Sequence, residues 1–267
     1  MKKLLITLAA TAMITTSNAQ TKIQDTKSLV VYYSQTGVTA EVAKLIQEKT
    51  HADIDSIIPE NPYDGDFNAT IQRSLKEQQE GTVCKIKPLH KDIANYDTIY
   101  IGYPIWFGTY APPVASFVKD VNVEGKSIVP FCTFGSGGLE TSVADLRKNL
   151  KNASILDGYG VRTARVGKAD AEIDLFFETL NGTAPKLPEF SEQKPVNKKE
   201  AEIFQQSCGN YPMPLGSPVS VGSRSLGKST EYKFIAKSKS PDGKEALSTI
   251  YVIKEPNETP EFTKVVR

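Results

Sequence analysis

Three short stretches carry residue types whose spacing suits the grip of an anion and a flat ring. In Ser34-Gln35-Thr36-Gly37-Val38-Thr39, three hydroxyls surround one glycine between an apolar run and a helical pattern. Unpaired amides and the dipole at a helix start favour an anion. Hydroxyls add donors, and Gly37 lets the backbone curl closely. The loop contains neither Lys nor Arg, so an anion there would be held by dipoles alone. It also lacks the lysine of a Walker loop and the three spaced glycines of a dinucleotide fingerprint. A threonine-capped helix after a turn accounts for the same residues equally well.

The second stretch, Gly102-Tyr103-Pro104-Ile105-Trp106-Phe107-Gly108-Thr109-Tyr110, holds the single tryptophan of the chain. It reads as a loop after a strand, and a large aromatic in a loop needs a face to cover. A planar ring system is the natural partner, with stacking worth ~0.5–1.5 kcal/mol beyond area burial. Packing of Trp106 into neighbouring apolar surface is the plainer alternative. The third stretch, Thr133-Phe134-Gly135-Ser136-Gly137-Gly138, puts three glycines in four positions just before a helix. Such a backbone can approach a flat ligand edge and present amides to it.

The elements that must position these stretches alternate along the chain. Short apolar, β-branched runs fall at Leu29–Tyr33, Ala52–Ile57, Thr98–Tyr103, Ser127–Thr133 and Ser154–Val161. Helical periodicity fills the gaps, as in Val38, Val42, Leu45 and Ile46, or Ile173, Phe176, Phe177 and Leu180. A further helix is expected over about Asn68–Glu80. This alternation predicts an α/β fold, a parallel sheet covered on both faces. In such sheets ligands sit beyond the carboxyl ends of the strands, where all three stretches fall. Together they specify a ligand with a monophosphate at one end and a flat, hydrogen-bonding aromatic head at the other. Flavin mononucleotide (FMN) fits that description.

At these residues the chain resembles the flavodoxin family, in its branch with a Ser-x-Thr-Gly-x-Thr first loop and a Gly-x-Pro-Ile-Trp second loop. Here those are Ser34–Thr39 and Gly102–Trp106, and the likeness spans about residues 28–181. The resemblance implies a doubly wound five-stranded parallel sheet in the order 2-1-3-4-5. It implies FMN held by its phosphate at Ser34, Gln35, Thr36, Gly37, Val38 and Thr39. The ring would lie between Pro104, Ile105, Trp106, Phe107 and Gly108 on one side and Phe134, Gly135, Ser136, Gly137 and Gly138 on the other. Backbone amides and carbonyls of the last two loops would hold its polar edge and tune which redox state is preferred.

Composition bounds the rest. Lys2 and Lys3, an apolar run from Leu4 to about Ile14, and Ser17-Asn18-Ala19 form the three-part pattern of a secretory signal peptide, with cleavage expected before Gln20. A short membrane anchor is the alternative. A periplasmic or secreted protein follows, with no membrane span after cleavage. Residues 20–184 carry 17 basic and 21 acidic residues, and 185–267 carry 13 and 10. Neither part has the basic stripe of a nucleic-acid surface. Cys84, Cys132 and Cys208 lack metal-ligand spacing; export would let two of them pair and leave one over. With two histidines in the chain, His-rich metal sites are out.

Residues 20–184 are therefore expected to form the FMN-binding domain. From 185 a Pro- and charge-rich linker leads to a small β-rich appendage, with strands at Pro218–Ser223, Glu231–Ser240, Ala246–Lys254 and Phe262–Arg267. Asn197–Gln206 reads as one short helix. Two functions compete. The leading one is an electron carrier between redox partners, with no catalytic residue of its own. The rival is an FMN-dependent reductase of quinones or similar small acceptors, whose pocket Asn61–Phe67 could wall, although the segment reads more simply as a plain loop. A binding module with the flavin as a passenger is a third.

Overall fold

The structure, a computed structural model, describes residues 26–64, 66–80, 82, 84–209, 211, 215–239 and 243–267. The expected signal peptide and its cleavage point lie outside these residues, as do Pro241 and Asp242, where the sequence Pro241-Asp242-Gly243 predicts a turn.

Residues 28–180 build the α/β unit. Its strands are β1 (Ser28–Tyr32), β2 (Asp53–Ser56), β3 (Thr98–Trp106), β4 (Thr109–Tyr110), β5 (Ser127–Phe134), β6 (Ser154–Ile155) and β7 (Tyr159–Arg162). Its helices are α1 (Val38–Thr50), α2 (Phe67–Glu80), α3 (Pro112–Asp120), α4 (Leu139–Asn149) and α5 (Ala169–Leu180). The sheet runs β2-β1-β3-β5, and β6 and β7 share the fifth position, each pairing β5 in parallel. Setting aside the short hairpin strand β4, this is the expected order 2-1-3-4-5.

Apolar side chains fill both sheet faces. Leu29, Val31, Ile99 and Ile101 face one core with Val114, Phe117 and Leu146. Val30, Tyr100, Val129 and Phe131 face the other with Val42, Ile46, Ile173 and Phe177. Alternate residues of one strand serving opposite cores is the period-2 geometry of a doubly covered sheet.

Two expected strands change shape. The fifth is cut in two between Ile155 and Tyr159, opposite Pro130 of β5, which has no amide to give a ladder. The third runs on to Trp106 and turns back through Phe107-Gly108 into β4. Phe107 and Gly108 have φ of 51° and 88°, and two positive-φ residues at a two-residue turn match the twist of a hairpin.

The C-terminal unit is an antiparallel sheet in the order β12-β11-β10-β9-β8. Its strands are β8 (Lys194–Pro195), β9 (Ser217–Leu226), β10 (Ser229–Lys239), β11 (Glu245–Lys254) and β12 (Glu261–Val266). Helix α6 (Lys198–Cys208) covers one face, burying Ile203, Phe204 and Cys208 against Phe234, Ile250 and Phe262. Asn197 caps α6 in a capping box with Glu200. Arg165 ties the two units together, with one guanidinium nitrogen on Glu172 of α5 and another on Glu261 of β12.

Candidate cofactor site

Strands β1, β3 and β5 are parallel neighbours, so their carboxyl ends lie side by side. The three loops launched there meet on one edge of the sheet. Thr39 Oγ1 of the first loop and Thr133 Oγ1 at the end of β5 hydrogen-bond at 2.8 Å, both buried. The second and third loops touch directly. A Cβ on Gly138 would stand 2.7 Å from Ile105 Cγ2 and 3.2 Å from the Gly108 carbonyl, so only glycine fits there.

The first loop leaves α1 without a side-chain cap. Its N-cap is Gly37, with φ 90° and open space where a Cβ would stand. The threonine-capped reading is thereby set aside, because Thr36 is exposed and Thr39 is engaged with Thr133. Ser34 Oγ is buried and has no hydrogen-bond partner. A buried hydroxyl left unpaired costs about 1–3 kcal/mol, and this one sits beside a bare helix start with positive potential. The arrangement suits an anion bound from outside the chain.

Gln35 ties the loop down, its Nε2 donating to the Tyr63 carbonyl at 3.0 Å and to Thr70 Oγ1 at 2.7 Å.

The second loop is more ordered than expected. Trp106 closes β3 instead of standing in a loop. Its ring meets Tyr63 edge-on at 5.1 Å and Tyr33 at 6.0 Å, the packing against apolar neighbours that the sequence left open. Burial pushes the hydroxyls of Tyr33 and Tyr63 well above the ordinary tyrosine value, so both stay protonated. Phe107, at the hairpin tip, is 54 % exposed.

The third loop has two of its carbonyls already engaged. Gly135 O accepts from Arg162 Nε at 2.7 Å, and Ser136 O accepts from the Val265 amide at 2.7 Å. The sequence left both free to receive a flavin edge; they are committed within the chain.

A cleft of about 860 Å³ opens along this rim. Gln35, Ile105–Thr109 and Phe134–Gly138 line it. The other expected residues, Ser34, Thr36–Thr39 and Pro104, are not part of its wall. One side comes from Thr70, Ile71 and Ser74 of α2, and no described residue of Asn61–Phe67 is part of the wall, as the plain-loop reading of that segment has it. Another comes from Glu140, Thr141 and Asp145 of α4 and from Tyr211 and Val265–Arg267 of the C-terminal unit. Nothing in the sequence marked the C-terminal residues; the one available signal for α2 was its pair of small hydroxyls four residues apart. Burial pushes Glu140 up, but Lys264 at 2.6 Å more than offsets it, and the carboxyl titrates below its usual range.

Cys84, Cys132 and Cys208 are all buried and free, and burial pushes each thiol up. No pairing among them is formed.

A doubly wound sheet whose strand-end loops join a bare helix start to an aromatic- and glycine-lined cleft defines a nucleotide-cofactor protein of the α/β class. Residues 27–174 match the flavodoxin family, and the chain belongs to it. FMN is the cofactor of that family.

The chain is similar to several solved structures. A protein of Bacteroides uniformis ATCC 8492, provisionally assigned as a flavoprotein, is 29% identical with a TM-score of 0.50, over 55% of this chain and 97% of its own. A similarly assigned protein of Bacteroides eggerthii DSM 20697 is 28% identical over 57% of this chain and 98% of its own, with a TM-score of 0.48. A flavoprotein of Lactobacillus acidophilus NCFM, crystallised in complex with FMN, is 25% identical over 54% of this chain and 97% of its own, with a TM-score of 0.45. No curated protein matches the chain.

Proposed function

We propose that the chain is an exported flavoprotein that binds FMN with its ring in this cleft and its phosphate at the first loop, which meets the cleft at Gln35, and passes electrons through it. The observation that carries the reading is Ser34 Oγ, buried and unpartnered beside the uncapped start of α1. A phosphate oxygen is the acceptor that this hydroxyl and the free helix amides suit. The exposed Thr36 hydroxyl adds a third donor. Thr39 acts from beneath, fixing the helix start to β5 through Thr133.

FMN, when bound, supplies one- or two-electron chemistry. The chain's own residues do the rest. Trp106 and Phe107 offer aromatic surface to the ring, with Trp106 held in place by Tyr33 and Tyr63. Gly135–Gly138 line the cleft, and amides donating from such a loop would favour added negative charge on a bound ring. The buried, protonated Tyr33 and Tyr63 keep that side apolar and exclude water.

Export is supported by the N-terminal pattern of the sequence. Among the described residues, no helix is long and apolar enough to cross a membrane.

A second reading, reduction of small acceptors such as quinones, is favoured by the cleft itself. Its walls extend past the three loops onto α2, α4 and the C-terminal unit, and its size is within the ~300–1,000 Å³ of small-molecule pockets. Both readings are tested on the purified protein. It should be yellow, release FMN on acid treatment, and take up FMN after stripping; a colourless protein that ignores added FMN would end both. Catalytic bleaching by NADH or NADPH in the presence of a quinone would decide for the reductase over the carrier.

A further inference from the structure

The flavodoxin match ends at residue 174, yet the C-terminal sheet reaches the cofactor cleft. Strand β12 lies at the edge of that sheet, paired on one side to β11. An edge strand presents unpaired amides and carbonyls and must be covered. Here the cover is the third loop. The Val265 amide donates outward to Ser136 O at 2.7 Å. The Val265 carbonyl lies where a Cβ of Gly137 would stand, 2.3 Å away, so the two backbones meet without room for a side chain.

Neighbouring contacts reinforce the seam. Lys264 Nζ reaches Glu140 Oε1 at 2.6 Å. Arg162 bridges the two units, Nε to Gly135 O at 2.7 Å and Nη1 to Phe262 O at 2.8 Å. Its guanidinium lies 4.4 Å from the centre of the Phe262 ring, a contact typical of cation–π pairing.

We propose that the C-terminal unit is a working part of the FMN site, with Val265, Lys264 and Arg162 as positioning residues that clasp the third loop in its ligand-receiving shape. The proposal rests on the FMN reading given above. A glycine-rich loop has many backbone states; unclasped, it would have to be ordered at the moment of binding, and that cost would come out of affinity. The clasp also occupies the carbonyls of Gly135 and Ser136, so neither is available as an acceptor for a bound ring. The clasp acts on the ring end of the site, so its loss should weaken FMN and riboflavin alike, whereas a phosphate contact would distinguish them.

The test uses the full-length protein, stripped and titrated with FMN and with riboflavin by flavin fluorescence, alongside the visible circular dichroism of the bound flavin. Val265→Pro removes one outward amide from an edge strand, where proline is tolerated. Gly137→Ala drives a Cβ into the Val265 carbonyl. Each should weaken both ligands about fivefold, the worth of one hydrogen bond, and alter the visible dichroism. Lys264→Glu, a surface change that leaves the core intact, should shift both readouts in the same direction, whereas Lys264→Arg, which keeps the charge opposite Glu140, should retain most of both. Unchanged affinities and dichroism in Gly137→Ala and Lys264→Glu would overturn the proposal, as would a loss confined to FMN. Wild-type protein that binds neither ligand would instead bring down the FMN reading on which it rests.

Discussion

Thr39 Oγ1 and Thr133 Oγ1 lie 2.8 Å apart and are both buried, 94 positions apart in the chain. This one bond pins the start of α1 to the end of β5, and so sets the first loop against the third. Two hydroxyls in an apolar setting satisfy each other, and neither has water as an alternative.

Replacing Thr39 by Val should destabilise the protein by about 1–3 kcal/mol, because Thr133 is left buried and unpaired. The double change Thr39→Val, Thr133→Val should recover most of that loss, since removing both partners removes the unpaired group. Urea unfolding of the four proteins in this cycle measures the coupling; a double variant as unstable as the sum of the singles would refute the pairing.

Ser34→Ala should have the opposite balance. With no ligand bound, stability should hold or rise slightly, because a buried unpartnered hydroxyl disappears. FMN affinity should fall about tenfold, the worth of a hydrogen bond to a charged group, with riboflavin affinity within about twofold of wild type. Equal losses for both ligands would contradict the phosphate assignment.

Phe107 holds φ at 51° at the hairpin tip, a conformation costly for a bulky side chain. Phe107→Asn should raise the melting temperature of the ligand-free protein, since strain of roughly 1 kcal/mol is relieved. It should also weaken FMN and riboflavin together by removing an aromatic face. A change that stabilises without affecting either ligand would show that the ring is not part of the site.

The Glu140–Lys264 contact makes the clasp pH-dependent. Glu140 titrates lower in the folded protein than in the unfolded chain. Its stabilising contribution is complete above the ordinary glutamate range and is lost as pH falls through the lowered folded value. Protection of the Val265 amide from hydrogen exchange should therefore decline below about pH 4.5. Asp55, held low by His90 and backbone amides against its burial, contributes in the same direction. The comparison that isolates the clasp is therefore wild type against Lys264→Met, whose amide protection should be weaker and less dependent on pH in this window.

Much of the α/β unit could be read from the residues because its signals are local. Hydrophobic period, β-branched runs and glycines before helices are consequences of backbone sterics that act within a few positions. Ser34 to Thr39 announced an anion-suited helix start, and Gly135 to Gly138 announced a loop that could approach a flat group. The short helix expected from Asn197 is observed as α6, with Asn197 as its cap.

The misread elements depend on partners remote in the chain. Pro130 splits the fifth strand through the ladder it fails to complete, which is invisible in the strand's own residues. Whether Trp106 stands free or packs against apolar neighbours is open in the sequence and is decided by Tyr33 and Tyr63, which the fold brings beside it.

The sequence by itself determined the alternation of strands and helices and the chemistry of each loop, since those follow from side-chain type and short-range geometry. Tertiary structure alone decided which hydroxyl stays unpaired, which third-loop carbonyls are taken, and that Val265–Arg267 wall the cleft. Those outcomes come from contacts between segments remote in the chain, 27 positions apart for Gly135 and Arg162 and 94 for Thr39 and Thr133, where close packing and the need to satisfy buried polar groups choose among pairings that local pattern leaves equal.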